Sequence, residues 1–472
     1  MARHLNSTAL ITALLCGGLG ACLVGPNYHR PGAPATPAFK EAEGWAPAAP
    51  SDAADRKDWW TVFGDPTLND LEAKVEVSNQ TLKADEAAYR VAHALVAQDR
   101  AALFPTVSLG ASATQSGGGS HAAPTGTHTL YEPTLGATWA PDIWGAVRRQ
   151  IENAKASAQA SAATLANARL SAQTELAVDY ISLRQLDEEK RILDATVEAY
   201  KRSLIITENK YKTGVAAQSD VLTARSQLDS ARANDTDLGQ QRARQEHAIA
   251  ILTGAPPAAL TLPPAPWTLK LPQIPTTLPS TLLQRRPDVA SAERSAAAAN
   301  ALIGVQVAAF YPTVSLTADG GFAANSLGQL FNASNNFWSL GASATETIFD
   351  AGARSAKVRG ARAAYDEAVA TYRQTVLTAF QQVEDNLAAQ RVYIDEEVQL
   401  QRAFDAARKN VAITKNEYQA GTVDFTTVST AEATALAAQN ALVQVQASRL
   451  STAVNLIEAL GGGWNAASLP KS

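Results

Sequence analysis

The sequence predicts a mainly α chain with a membrane β-barrel part, organised as two structural repeats. Three observations carry that prediction. The hexapeptide FPTVSL at Phe104–Leu109 returns as YPTVSL at Tyr311–Leu316, offset by 207 residues. Glu86 and Glu293, Gly145 and Gly352, and Gly214 and Gly421 share the same offset, so a unit about 200 residues long is duplicated in tandem. Residues Ala146 to Thr213 contain neither Gly nor Pro, and Ala361 to Ala420 are equally free of both. As one helix the first run is roughly 100 Å long at 1.5 Å per residue. That exceeds a globular diameter and points to paired, coiled-coil-like rods. Finally, four short stretches alternate between apolar and polar residues with period two, behind an export signal.

The signal comes first. Arg3 and His4 precede the apolar run LNSTALITALLCGGLG, too short for an ordinary membrane-spanning helix, and residues 1–21 read as a signal peptide. The run ends in LGAC, Leu19–Cys22, which resembles the bacterial lipobox. That resemblance implies cleavage before Cys22 and lipidation of its sulfur, a thiol being the nucleophile that takes a diacylglycerol thioether. Leu23 rather than Asp follows the cysteine, which by the same resemblance implies the outer membrane. Cys16 and Cys22 are the only cysteines, so the mature chain holds no disulfide although its compartment is oxidising. The 472 residues carry 40 Lys+Arg against 45 Asp+Glu, a net charge of −5, and nothing in that balance points to nucleic acid.

Residues 22–65 are rich in Pro, Ala and Gly and should run extended over a surface rather than form a core. Asp65–Pro66 reads as a helix start, opening a first repeat over 66–254 whose first helix runs to about Leu103. A β-hairpin follows over 104–141. Val107, Leu109, Ala111 and Ala113 oppose Ser108, Gly110, Ser112 and Thr114; Leu135, Ala137 and Trp139 oppose Thr134, Gly136 and Thr138. The long rod then ends at the turn 211–214, and a return helix leads to a Pro-rich linker over 255–286. Ala255 to Pro287 holds nine prolines, which forbid a regular helix or central strand.

The second repeat, 287–461, repeats this order, with a hairpin over 311–349, a turn over 418–421 and a tail over 462–472. Its strands set Val314, Leu316, Ala318 and Phe322 against Thr313, Ser315, Thr317 and Asp319, then Trp338, Leu340, Ala342 and Ala344 against Ser339, Gly341, Ser343 and Thr345. Small hydroxyl residues on one face and apolar ones on the other fit a barrel with water inside and lipid outside. Trp139, Phe322 and Trp338 are the candidate membrane-interface aromatics. Four strands cannot close a barrel when the smallest membrane barrels have about eight, and each bare amide in lipid costs several kcal/mol. The chain must therefore close its sheet with two, three or four copies.

No catalytic constellation is present. His29, His93, His121, His128 and His247 lack metal-ligand spacing, and the glycines of GGGS sit in a hairpin tip rather than a phosphate loop. The expectation is a protein that is not an enzyme, with no cofactor and no metal. A lipid-anchored periplasmic coiled-coil adaptor or scaffold would explain the lipobox and the rods, but not the duplicated hairpins. A cell-wall hydrolase lacks any nucleophile or metal cluster.

The order of lipobox, VGPNYHRP, WWTVFGDPTLNDL, FPTVSL, LLQRRPDVASAE, FYPTVSL, FDAGARSAKV, QQVEDNLAA and YQAGTVDF resembles the TolC-like outer-membrane efflux channels, in their NodT-type lipoprotein branch. RRPDV and FDAG are specific to that family, and the likeness covers essentially the whole mature chain. It implies a homotrimer, in which a twelve-stranded β-barrel in the Gram-negative outer membrane continues as a twelve-helix periplasmic α-barrel. The same resemblance implies the exit duct of a tripartite pump that expels drugs or other toxic small molecules. Its partners would be a periplasmic adaptor and an inner-membrane pump of the resistance-nodulation-division class. In RRPDV itself, Pro287 and Asp288 suit a helix start, and Arg285 and Arg286 read as structural; VED at Val383–Asp385 reads as a polar face.

The two Tyr-x-x-Gly turns, with Tyr211, Gly214, Tyr418 and Gly421, would form the periplasmic mouth. Relatives often place a Leu and then an Asp one turn later after the second turn, as rings that narrow the closed entrance. Here Thr426 and Thr430 occupy the aligned positions. Asp220 and Asp424 remain near the mouth, where rotational symmetry would make each a carboxylate ring that favours cations.

Overall fold

The computed structural model describes residues 23–34, 36–41, 58–117, 127–272 and 285–470. The signal segment 1–21 and Cys22 lie outside them. Helices α1 (Pro66–Ser78) and α2 (Gln80–Ala101) lead into strands β1 (Thr106–Gly117) and β2 (Thr127–Trp139). Helices α3 (Ala146–Lys212) and α4 (Gln218–Leu252) follow. The second series is α5 (Pro287–Ala308), β3 (Thr313–Phe322), β4 (Asn336–Thr345), α6 (Ala353–Ala420) and α7 (Phe425–Ala459). Each breaker-free run is carried by a single helix, of 67 residues in α3 and of 68 in α6, which begins eight residues before its run and takes in Gly360, and each helix spans roughly 100 Å.

The opening helix differs from expectation. It breaks at Asn79, whose side chain accepts the amides of Thr81 and Leu82 at 2.9 and 3.1 Å and so caps a new helix. The Asn79 amide also donates to the Leu252 carbonyl at 2.9 Å, satisfying the end of α4. One residue thus ends α1, starts α2 and caps a helix from the far side of the repeat. The predicted start does hold: Asp65 accepts the amides of Thr67 and Leu68 at 2.8 and 3.1 Å.

The four strands form one antiparallel sheet in the order β1-β2-β3-β4. Thr106 pairs with Thr138, and Thr313 pairs with Thr345, so the two hairpins share one register under the 207-residue offset. Trp139 pairs with Leu316 where β2 meets β3.

Along α3 the packing changes with height. Near the sheet, Ala154 and Ala158 lie against Val96 of α2, and Ala156 lies against Ala297 and Ala298 of α5. Alanine lets these backbones approach closely. At mid-height, Leu176, Tyr180, Ile181 and Leu183 bury against Trp59, Trp60, Phe63, Leu68, Leu71 and Val75, about 1.5–3 kcal/mol for each large side chain fully withdrawn from water. Towards the far tip, Leu193 and Tyr200 pack on Leu228 and Ala231 of α4.

The N-terminal stretch was expected to lie on the surface, and it does more than that. Phe39 is buried edge-on to Phe380 at 6.4 Å, and Trp59, Trp60 and Phe63 enter the main core. Polar contacts hold the stretch down. Arg149, 2% exposed, donates to the carbonyls of Val24 and Gly25 at 3.1 Å and to Asn27 Oδ1 at 2.9 Å. Gly25 takes a left-handed φ of +88° and lies directly against Gly304, where no Cβ would fit. Glu384, in the VED motif, accepts the amides of Lys40 and Glu41 at 2.7 and 2.9 Å. The linker likewise contributes Leu262 and Leu269 to the core.

Candidate functional site

The sheet has two chemically distinct faces. Ser108, Gly136, Asp319 and Ser339 are directly opposed across the four strands and share the polar face, with Thr134, Thr138, Thr313 and Thr317. The other face carries Val107, Leu109, Leu135, Leu316, Trp338 and Leu340, all at least 36% exposed. Among the described residues no helix is long and apolar enough to cross a membrane.

The three aromatics singled out as interface candidates, Trp139, Phe322 and Trp338, all stand on the apolar face, at its two ends. Trp139 sits at the helix end, where its indole N–H donates to the Leu103 carbonyl at 3.0 Å. Trp338 and Phe322 sit at the opposite end, near the β3–β4 connection. Trp338 is 76% exposed, whereas Phe322 packs edge-on against Phe331 of that connection at 5.4 Å. From Leu316, opposite Trp139, to Phe322 the strand covers roughly 20 Å, close to the apolar band height of about 25 Å in outer-membrane barrels.

At the other end of the rods the two turns come together. Gly421 has φ +76°, and its N–H bonds the Tyr418 carbonyl at 3.2 Å, the left-handed cap that glycine adopts without strain. Gly214 occupies the same conformation after α3. Tyr418 packs edge-on to Phe425 at 5.6 Å. Lys210, in the last turn of α3, lies 3.7 Å over the Tyr418 ring and donates to the Tyr418 carbonyl at 3.2 Å. A lysine of the first repeat therefore joins the second repeat's turn by a cation–π contact and a bond to a helix-end carbonyl. Sequence reasoning missed Lys210; its signal is a cation in the last helical turn, one residue before the Tyr-x-x-Gly turn.

Tyr211, by contrast, is exposed, so the two tyrosines are not equivalent. Asp220 lies in the first turn of α4. Asp424 is the N-cap of α7, accepting the Thr427 amide at 2.9 Å and the Thr427 hydroxyl at 2.8 Å. Those two bonds hold its carboxyl below the usual range, so it stays ionised. Thr426 and Thr430 are exposed one turn apart, the Thr430 hydroxyl bonding back to the Thr426 carbonyl at 2.9 Å.

The helix starts beneath the sheet are twinned. Asp142 accepts the amides of Val147 and Arg148 and pairs with Arg148 at 3.0 Å. Asp350 accepts the amides of Gly352 and Arg354 and pairs with Arg354 at 2.7 Å. In RRPDV, Arg286 is buried, pairs with Asp288 at 2.7 Å and donates to the Ala459 carbonyl at 3.0 Å, capping α7. The structural reading of that motif holds.

A two-faced sheet carried on paired helical rods is the build of a TolC-like outer-membrane channel. The chain belongs to the outer membrane efflux protein family, whose model matches residues 73–255 and 278–462. It is 31% identical over 474 residues to the probable efflux pump outer membrane protein TtgC of Pseudomonas putida, covering 98% of this chain and 96% of that one. The pyoverdine export outer membrane protein OpmQ of Pseudomonas aeruginosa is 32% identical over 476 residues, covering 98% and 97%. Among solved structures, the outer-membrane channel OprN superposes with a TM-score of 0.88 at 32% identity, covering 94% of this chain and 100% of that one. The protein is an outer-membrane efflux channel, and the adaptor alternative falls away.

Proposed function

We propose that three copies of this chain close one β-barrel in the outer membrane and one helical tunnel below it, serving as the exit duct of a tripartite pump. The observation that carries this reading is the open sheet. Its apolar face suits lipid and its polar face suits water, while among the described residues β1 and β4 leave their outer edges unpaired. A periplasmic adaptor and a proton-driven inner-membrane pump of the resistance-nodulation-division class would supply the transport energy, since the duct has no nucleotide motif of its own. The cargo is small toxic molecules, in keeping with the efflux and export named for the two relatives.

The mouth is formed by the tips around Tyr211, Gly214, Asp220, Tyr418, Gly421, Asp424, Thr426 and Thr430, and Lys210 holds the two repeats together there. Cys22 carries the lipid. In support, Val24, two residues on, bonds the Trp144 carbonyl at 3.2 Å beneath the sheet, at the membrane end of the molecule. Sedimentation in detergent should give three chains per particle, and deleting the gene should sensitise the cell to several unrelated toxic compounds. A monomeric particle, or unchanged sensitivity, would contradict the reading.

A further inference from the structure

Short of the tips, α3 of the first repeat and α6 and α7 of the second leave a cavity of about 280 Å³ between them. We propose that this cavity binds a small neutral molecule of the phenol or alcohol class, whose hydroxyl donates a hydrogen bond to Glu432 Oε2. The cavity lies within one chain, so the inference stands independently of how many copies assemble.

The rods fix its place. Ile192, Ala195 and Tyr200 line it from α3, Phe404 and Val411 from α6, and Leu436 from α7. On α3 that is roughly 20–30 Å short of the tip at 1.5 Å per residue. Its volume stands near the lower end of the range of about 300–1,000 Å³ seen for ligand pockets, which suits a body of one or two rings. A molecule seated there touches both repeats at once.

The charged groups around the cavity are paired, with one oxygen left over. Lys415 meets Glu432 Oε1 at 2.7 Å. Arg191 is held by both oxygens of Glu188 at 2.9 and 2.6 Å. Arg408 lies over the Phe404 ring and pairs with Asp405 at 3.4 Å. What remains is Glu432 Oε2, buried in a side chain only 7% exposed and without a hydrogen-bond partner among the described residues. Tyr200 feels the same carboxylate: burial and the Glu432 charge push its hydroxyl up to about 12, so that phenol stays neutral.

The duplication sets this oxygen apart. Under the 207-residue offset, Lys415 and Glu432 correspond to Glu208 and Arg225, an ion pair with its charges exchanged, at 3.1 Å. There the carboxylate is 34% exposed and open to water. Both repeats therefore tie their long and return helices with an ion pair at this height. The second repeat also buries its carboxylate against a cavity, which the tie alone does not require.

The class of ligand follows from that inventory. An unmet acceptor calls for a donor. A carboxylate or phosphate would meet Glu432 with like charge, and the rim guanidinium groups already have partners. An ammonium group would meet Lys415 with like charge. A hydroxyl donates without adding charge, and the walls of Ile192, Ala195, Val411, Leu436 and the Phe404 ring suit an apolar or aromatic body.

Equilibrium dialysis of the full-length protein in lipid nanodiscs, with empty nanodiscs subtracted, tests the site. The probes are β-naphthol, its methyl ether, which keeps the rings and lacks the donor, and the anion β-naphthoate. β-Naphthol should bind at one site per chain and at least about tenfold more tightly than either of the others, as a hydrogen bond to a charged acceptor provides. Glu432→Gln keeps the shape of the side chain. Lys415, which can only donate, claims the new amide oxygen and turns the amide NH₂ to the cavity, so the preference for β-naphthol over the ether should vanish. Ala195→Trp, at an exposed point of the wall, should block the site in a protein that sediments as the parent does. Equal binding of β-naphthol and its ether by the parent would overturn the proposal, as would tighter binding of β-naphthoate. So would an undiminished preference in Glu432→Gln, parent-like binding by Ala195→Trp, or no binding above that of empty nanodiscs.

Discussion

Asp187 on α3 and Arg242 on α4 meet at 2.7 Å, and through that contact the proline-rich linker is fastened to both helices. Asp187 also accepts from Arg184 at 2.7 Å and from the Ala265 amide at 3.2 Å. Arg184 and Arg242 go on to donate to the carbonyls of Pro263 and Leu262 at 3.0 and 2.5 Å. A chain segment that cannot form a helix or a ladder thus has its carbonyls satisfied by two arginines sharing one carboxylate. Removing that carboxylate leaves Arg184, only 3% exposed, without its carboxylate partner, while Arg242 keeps Glu246 at 3.1 Å. Asp187→Ala should destabilise the protein by roughly 3–5 kcal/mol, read as a lower denaturation midpoint of the purified oligomer. An unchanged midpoint would mean that the linker is held by its apolar residues alone.

Glu72 presents the opposite case. It is 0% exposed and neither carboxylate oxygen has a hydrogen-bond partner. Burial pushes its carboxyl from 4.5 up to about 9, so it is neutral in the folded chain at pH 7 and ionised in the unfolded one. Its contribution is fully present below pH 4.5 and is lost progressively as the pH rises to about 9, at about 1.4 kcal/mol per pH unit. Glu72→Gln, neutral at every pH, should melt higher than the parent near pH 8 and flatten this part of the pH profile. Parallel profiles for the two proteins would sink the assignment.

Lys210 offers a test at the mouth. It spans from the end of α3 to the ring and carbonyl of Tyr418, and separating the two tips breaks both contacts. Lys210→Met keeps the length of the chain and loses the charge. It should raise the resting leak of the channel, measured as basal uptake of a small dye by cells expressing it. Equal uptake would show that the contact does not restrain the tips.

Asp424 combines two roles that one substitution separates. Its carboxylate caps α7 through Thr427, and symmetry would make it part of a ring of negative charge. Asp424→Asn retains the cap and drops the charge, so it should weaken block by trivalent cations while leaving thermal stability nearly unchanged. Thr430→Asp, one turn beyond Thr426, should strengthen that block. If neither change moves the blocking concentration, the constriction lies elsewhere.

Much of the architecture was legible because it is written in periodicity. The repeated hexapeptide marked the hairpins, the absence of Gly and Pro marked α3 and all of α6 beyond Gly360, and the two turn glycines marked their ends. What escaped depends on partners distant in sequence. Asn79 looks like an ordinary polar residue of a helix until Leu252 is brought beside it. Arg149 gives no sign that it will hold Val24, Gly25 and Asn27. Lys210 and Tyr418 are 208 residues apart, and only the pairing of the two rods makes them neighbours. The apolar role of residues 22–65 was hidden for the same reason: Phe39 stands alone among prolines and alanines, and its burial is decided by Phe380.

The central claim is that copies of this chain enclose a continuous water-filled duct, and conductance across a planar lipid bilayer tests it most directly. Purified oligomer added to one side should give discrete, long-lived steps of uniform size. Asp424→Asn should reduce their block by trivalent cations added on the tip side. Oligomer that incorporates into the bilayer without producing conductance steps, under conditions where the Lys210→Met variant is equally silent, would contradict the account.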